Sequence, residues 1–418
     1  MNQHHDVVIV GGGQAGLSAS WYLKQSGIDH VVLEKHSPGH TWQAERWDTF
    51  CLVTPNWQCR LPGFDYAGND PYGFMLRDEI VQYLEGYVRS FDPPLMTGVN
   101  VQKLSQASSG LYQIETSAGS LTAGQVVIAA GGYQVPIIPR CAERLNRHIV
   151  QVHSSEYRNP GQLPDGAVLV GGTGQSGSQI AEDLHLAGRK VHLCVGEAPR
   201  VARLYRGRDV VEWLDLMGYY DMPVQNHPLR EGVRDKTNHY VTGRDGGREI
   251  DLRRRALEGM ELYGVLRDID GDVVTLADNL AANLDAADAV SEAIKRSIDT
   301  FITNNDFDAP SEAPYCPPWR PTHERSALDL RKAGVNSIVW CVGFLTDYSW
   351  IDLPVFNGRG QPKHVRGVTP VAGLYFLGLP WMYTWGSGRF SGIARDAEYI
   401  AEHIRSWSLE LPDGRPQQ

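Results

Sequence analysis

The apolar residues of this chain fall into short unbroken runs separated by glycines. Asp6 to Val10 (DVVIV) is the first, the pattern of a parallel strand covered on both faces. Gly11-Gly12-Gly13-Gln14-Ala15-Gly16 follows, and the pattern then predicts a helix from about Gln14 to Ser26, ended by Gly27. His30 to Leu33 reads as the next strand, with Glu34 at its tip. The same succession returns later. A strand over Ala167 to Val170 leads into Gly172-Thr173-Gly174-Gln175-Ser176-Gly177, then a helix ended by Gly188 and a strand over Val191 to Val195. Gly11/Gly172, Gly13/Gly174, Gln14/Gln175, Gly16/Gly177 and Gly27/Gly188 keep one constant offset, which two chance matches would not share.

Between the copies, a strand over Val126 to Ala130 ends in Gly131-Gly132, and Tyr133 to Pro139 must be extended or turning because of its prolines. A related pattern at Ser337 to Gly343 predicts a second crossing between domains. Near the C-terminus, Gly373 to Gly378 reads as a strand aimed at a glycine, followed by a Trp/Gly-rich loop and a helix from about Gly392 to Ile404. This piece needs a core to cover and is expected to return to the first domain. Ala281 to Thr303 reads as an added helix, and Ala309 to Pro321 as a linker. The expected fold is α/β, with two dinucleotide-binding (Rossmann-like) domains, the second inserted into the first. Residues 1–158 and 336–418 are assigned to an FAD-binding domain and 159–335 to an NAD(P)H-binding domain.

Length and composition agree with this picture. A chain of 418 residues exceeds one ordinary core, and 42% hydrophobic with 21% charged residues is the balance of a globular protein. A net charge of -10 gives no general attraction to nucleic acid or anionic membrane, so phosphate binding must be local. The start lacks a signal-peptide pattern and no run of roughly 18 apolar residues occurs, so a cytoplasmic location without membrane association is expected. The six cysteines include no CxxC pair, which argues for reduced thiols and against dithiol-disulfide reductase chemistry.

In each glycine-rich turn the first glycine permits the tight bend, the second admits the pyrophosphate, and the third lets helix and strand pack closely. The helix N-terminus adds unpaired N–H groups and positive dipole. Glu34 is placed to accept ribose hydroxyls, which assigns FAD to the first turn. Its seat is expected to draw on Gly11, Gly13, Gln14, Ala15, Gly16, Glu34, Lys35, Thr41, Trp42, Val101, Gly131, Gly343 and Gly378. The second turn, with Gly172, Gly174, Gln175, Ser176 and Gly177, is assigned to the nicotinamide dinucleotide. No carboxylate stands at its strand tip, where Val195 and Gly196 are followed by Arg200, Arg203, Arg206 and Arg208. Guanidinium forks suit a 2'-phosphate, so Arg200 and Arg203 favour NADPH over NADH. A solvated basic loop paired with Asp209 and Glu212 is the competing reading.

With these features placed, the chain resembles the class B flavoprotein monooxygenases, which include flavin-containing N- and S-monooxygenases, Baeyer-Villiger enzymes and indole-pyruvate monooxygenases. The similarity runs through Val8 to Leu17, Thr41-Trp42, Leu52 to Asn56, Ala130 to Tyr133, His153-Ser154 with Tyr157, Gln179-Ile180-Ala181 and Trp340 to Phe344. Asp347 to Trp350 and Gly378 to Trp381 look like those of bacterial flavin-dependent oxidoreductases. The resemblance implies that NADPH reduces FAD, that oxygen adds at flavin C4a, and that one oxygen atom passes to an N, S or carbonyl centre of a small molecule. It also implies a hydrogen-bonding role near the oxygenated flavin for Asn56, with an Asx turn after Pro55 as the competing reading. His153 could orient the nicotinamide, gate the domains, or serve as a hydrogen-bonded structural residue beside Ser154. Arg147-His148-Ile149 stands where the family carries Phe-x-Gly, and Gly378-Leu379 where many flavoproteins have Gly-Asp. A flavin dehydrogenase or oxidase without oxygen transfer, and a non-enzymatic redox-sensing flavoprotein, are the alternatives. Trp381, Tyr383, Trp385 and Arg389 could roof a substrate pocket or simply pack between domains.

Overall fold

The computed structural model describes residues 3–410. Two sheets organise the chain. The first has seven strands, running Leu95–Thr97, His30–Glu34, Gln3–Val10, Gly119–Ile128, Tyr112–Thr116 and Val101–Gln106, with Leu374–Phe376 as the seventh. Gln3–Val10 is parallel to both its neighbours. Val7 and Ile9 bury against Leu17, Leu84 and Ile400 on one face, while Val8 and Val10 join Leu104, Tyr112 and Phe376 on the other. Helices or loops cover both faces, which is why the apolar run is unbroken.

The edge of Gly119–Ile128 that faces away from Gln3–Val10 is shared by two partners. Its first half is antiparallel to Tyr112–Thr116, and Val126 to Ile128 are parallel to Leu374–Phe376. The C-terminal segment therefore completes the first sheet, and the helix Ile393–Glu410 returns with it, its Ile393, Ala397 and Ile400 in the same apolar layer as Leu17.

The second sheet is wholly parallel, in the order Val150–His153, Val335–Trp340, Ala167–Gly171, Val191–Cys194, Glu261–Tyr263. Here the structure departs from the boundaries at 158 and 336. Ala167–Gly171 is buried along its whole length and needs a partner on each side, and Val335–Trp340 supplies one of them. Val150–His153 then pairs with Val335–Trp340, so both strands belong to the second sheet. The crossings lie just outside these strands, where Val135–Pro136 and Phe344–Leu345 pair antiparallel and run side by side.

The added helix is Leu280–Asn304, in which Leu280, Leu284 and Ile298 are buried. A further segment had no periodicity to betray it. From Tyr219 to Gly246 the chain makes short 3-10 turns and forms a strap from the second domain to the C-terminal loop. Val224 N donates to the Tyr383 carbonyl at 2.7 Å, Arg234 Nε donates to the Trp381 carbonyl at 3.1 Å, and Tyr220 packs on Trp385 at 4.5 Å.

Candidate active site

The two glycine-rich turns are built alike. Gly11 and Gly172 have φ of +110° and +108°, which favours glycine, and a Cβ on either would collide with the neighbouring strand end, at Ala129 and Cys341. A Cβ on Gly16 would strike the Gly11 carbonyl, and one on Gly177 the Gly172 carbonyl. Gly13 and Gly174 differ from these four. A Cβ on Gly13 meets nothing within 4 Å, and one on Gly174 meets only the Thr237 methyl, at 3.9 Å. Space is thus left open at the second glycine of each turn, the position where such turns admit a pyrophosphate. Each also stands at the N-cap of its helix without a side-chain cap, and neither helix has an acidic residue in its first turn. Both ends thus offer free N–H groups and uncancelled dipole to an anion.

A cleft of about 480 Å³ opens over the first turn. Gly11, Gly13, Gln14, Ala15, Glu34, Lys35, Thr41, Trp42, Val101, Gly131 and Gly378 all line it, brought together from five separate stretches of chain. Glu34 accepts from Gly12 N at 2.7 Å and from His36 N at 2.8 Å, which aims its carboxylate across the turn. Gly16 lies behind the turn, where the helix meets the strand. Gly343 stands outside the cleft's lining, in the crossing.

Over the second turn the strand tip works in the opposite sense. Thr173 Oγ1 accepts from Gly196 N at 2.8 Å, so the turn rather than the tip supplies the oxygen. Arg200 and Arg203 do not reach the turn. Both are buried at 2% side-chain exposure: Arg200 pairs with Glu249 and, at 2.7 Å, with Asp288 of the added helix, while Arg203 pairs with Asp209. Arg203 also donates to the Val53 carbonyl at 2.8 Å and stacks on Phe74, clamping the two domains. The expected 2'-phosphate forks are thus already occupied, because burial obliges a guanidinium to find carboxylates. Arg206 and Arg208 are likewise paired, with Asp299 and Glu212.

Asn56 and His153 are fixed by their own neighbourhoods. Asn56 Nδ2 donates to the Asp70 carbonyl at 2.9 Å and its Oδ1 accepts from Met75 N at 2.8 Å, so the amide staples the loop between residues 56 and 75. His153 Nε2 donates to the Gly343 carbonyl at 3.1 Å, while Nδ1 lies 2.9 Å from Ser155 Oγ and accepts from Ser155 N at 3.2 Å. Burial lowers its pKa and keeps the ring neutral. Packed edge-on against Phe344, it fastens the crossing to the second sheet.

Residues 8–214 match the family model described as pyridine nucleotide-disulphide oxidoreductase. A Geobacillus kaustophilus protein named uncharacterized oxidoreductase CzcO-like is 34% identical over 403 residues, covering 96% of this chain and 98% of its own length. The chain belongs to the CzcO-like oxidoreductases. Its fold is that of a flavin-containing monooxygenase from Stenotrophomonas maltophilia, with a TM-score of 0.68 at 19% identity over 97% of this chain and 99% of the other. An ornithine N-hydroxylase from Kutzneria sp. 744, in a complex with FAD and NADP+, superposes with a TM-score of 0.62 at 19% identity over 96% and 99% of the two chains. The resemblance to the class B flavoprotein monooxygenases thus holds across nearly the whole fold.

Among the described residues this CzcO-like oxidoreductase has no disulphide, the bond that the family model's description names. All six cysteines are free, and burial pushes the Cys59 and Cys194 thiols up to about 12. Among the described residues no helix is long and apolar enough to cross a membrane, and no cluster of His, Cys, Asp or Glu suits a metal ion. Sequence reasoning missed several lining residues of this oxidoreductase, including His36, Asp347 and Trp350. Arg46 had no assigned role. It also lines the cleft, with its guanidinium 5.4 Å from the Trp42 ring centroid and 5.6 Å from that of Tyr133.

Proposed function

We propose that this oxidoreductase seats FAD in the cleft over Gly13 and a nicotinamide dinucleotide over Gly174, and that it passes one oxygen atom from dioxygen to a small molecule. The observation that carries the reading is the repeated open glycine on an uncapped helix end. The first copy is backed by Glu34 and a cleft of about 480 Å³, the second by Thr173. Bound flavin supplies the redox centre. The protein's part is to hold the diphosphates on Gly13 and Gly174, to engage the flavin's adenosine ribose with Glu34, and to wall the ring with Trp42 and Tyr133, which line the cleft. Structures of the same fold that hold NADP+ support NADPH as donor; Arg200 and Arg203, turned into ion pairs, lend no support to NADPH over NADH.

A second reading is a flavin dehydrogenase or oxidase, favoured by the occupied amide of Asn56. Oxygen accounting separates the two. Under labelled dioxygen with NADPH, the first reading expects a substrate-dependent fall in released hydrogen peroxide and label in the product. If every electron pair leaves as peroxide across amines, sulfides, ketones and carboxylic acids, oxygen transfer is refuted.

A further inference from the structure

Buried guanidiniums in this molecule are neutralised. Arg200, Arg203 and Arg253, each at 2% side-chain exposure, have one or two carboxylates apiece. Arg389 is half-buried and, like Arg158, Arg189 and Arg366, has none. It follows Gly388, whose carbonyl accepts from Gln14 Nε2 at 3.0 Å at the edge of the flavin cleft. Its guanidinium stacks 4.1 Å from the Trp385 ring centroid and donates only to neutral oxygens, the Trp385 carbonyl and Asn238 Oδ1, the latter at 3.1 Å. No carboxylate among the described residues pairs with it. Tyr133, Tyr219 and Tyr220 are the ionisable groups that face it, and burial holds its pKa below the ordinary value.

A half-buried cation without a counter-charge can take one from a ligand. Arg46 is also without a carboxylate partner, but it lines the flavin cleft, where cofactor phosphates can answer it. Arg389 lies beyond that lining, between the flavin domain's Tyr133 and Trp385 and the strap's Tyr219, Tyr220 and Asn238. Its planar fork fits two oxygens of one carboxylate, and its aromatic neighbours fit an apolar body. We propose that Arg389 seats the carboxylate of the substrate, and that the enzyme acts on small aromatic or apolar carboxylic acids. The substrate class rests on the flavin reading above. A phosphate of the nicotinamide coenzyme is the other source of an oxyanion here, because Asn238 adjoins Thr237 at the second glycine turn.

Calorimetry on the FAD-loaded protein tests this with 3-phenylpropionate, its neutral amide 3-phenylpropionamide, and NADP+. The acid is expected to bind about tenfold more tightly than the amide, as a charge-assisted bond allows. Arg389→Gln should erase that ratio, and Arg389→Lys should keep part of it. Two results overturn the proposal: equal or undetectable binding of acid and amide, or an unchanged ratio in Arg389→Gln, equal weakening of both ligands included. An unchanged ratio with NADP+ weakened about tenfold would give Arg389 to the coenzyme phosphate instead. Failure of the flavin reading shows separately, as purified protein that takes up no FAD.

Discussion

A single methyl group probes the first turn. Gly13 has φ of -78°, which any residue adopts, and a Cβ there meets nothing within 4 Å. Gly13→Ala is expected to fold with an unchanged melting temperature yet hold FAD at least about tenfold more weakly, because the methyl stands where the diphosphate approaches. Gly16→Ala is expected to fail in the opposite way. Alanine gains about 1 kcal/mol of helix propensity, but its Cβ strikes the Gly11 carbonyl, so the protein should lose stability as well as flavin. Thermal melts and flavin absorbance of the two variants read both effects.

A second residue couples the C-terminal loop to pH. Ser387 Oγ accepts from Tyr383 N and Thr384 N, at 3.0 and 3.1 Å, and its hydroxyl bonds to buried Asp396, whose carboxyl is pushed up to about 6 chiefly by desolvation. A raised carboxylate pKa means that the folded state holds the proton longer than the unfolded one. The associated stability is therefore present below the unfolded value near 4 and is lost as pH rises through about 6, on the order of 3 kcal/mol. Asp396→Asn should flatten the melting-temperature profile between pH 4 and pH 7. An unchanged slope would show that Asp396 does not carry it. The glycines were legible in the sequence because each is demanded by its own turn. Arg200 was not, since its partners Glu249 and Asp288 are remote in sequence, although Asp209, the partner of Arg203, stood close enough to be weighed.

The added helix Leu280–Asn304 shows what an element contributes beyond its apolar face. Asp288 answers both Arg200 and Arg253, at 2.7 and 2.8 Å, and Asp285 also answers Arg253. Asp288→Ala leaves two buried guanidiniums short of charge and should cost about 3 kcal/mol by denaturant unfolding. Its Michaelis constants for NADPH and NADH should keep their ratio, because Arg200 does not face the coenzyme turn. A shift of that ratio toward NADPH in Asp288→Ala would mean that Arg200 can reach the 2'-phosphate once released. Strands and long helices could be read from apolar runs and periodicity. Sheet membership could not: Val335–Trp340 has the same local pattern whichever sheet it joins, and the need of Ala167–Gly171 for a second neighbour decides it. The strap from Tyr219 to Gly246 was invisible because 3-10 turns leave no period.

At the scale of the whole molecule, two copies of one turn are set on two sheets, joined by paired crossings and braced by the strap, His153 and Arg203. The proposed function gives different tasks to equivalent glycines, and Gly174 is the one that separates them. Its φ of -58° accommodates alanine, and the nearest atom to the added Cβ is the Thr237 methyl at 3.9 Å. Anaerobic stopped-flow reduction of Gly174→Ala therefore addresses the division directly. The variant should purify with FAD and be reduced normally by dithionite, while reduction by NADPH slows at least about tenfold relative to the unmodified enzyme. Loss of FAD from Gly174→Ala, or reduction by NADPH at the unmodified rate, would contradict the assignment of the second turn to the nicotinamide coenzyme.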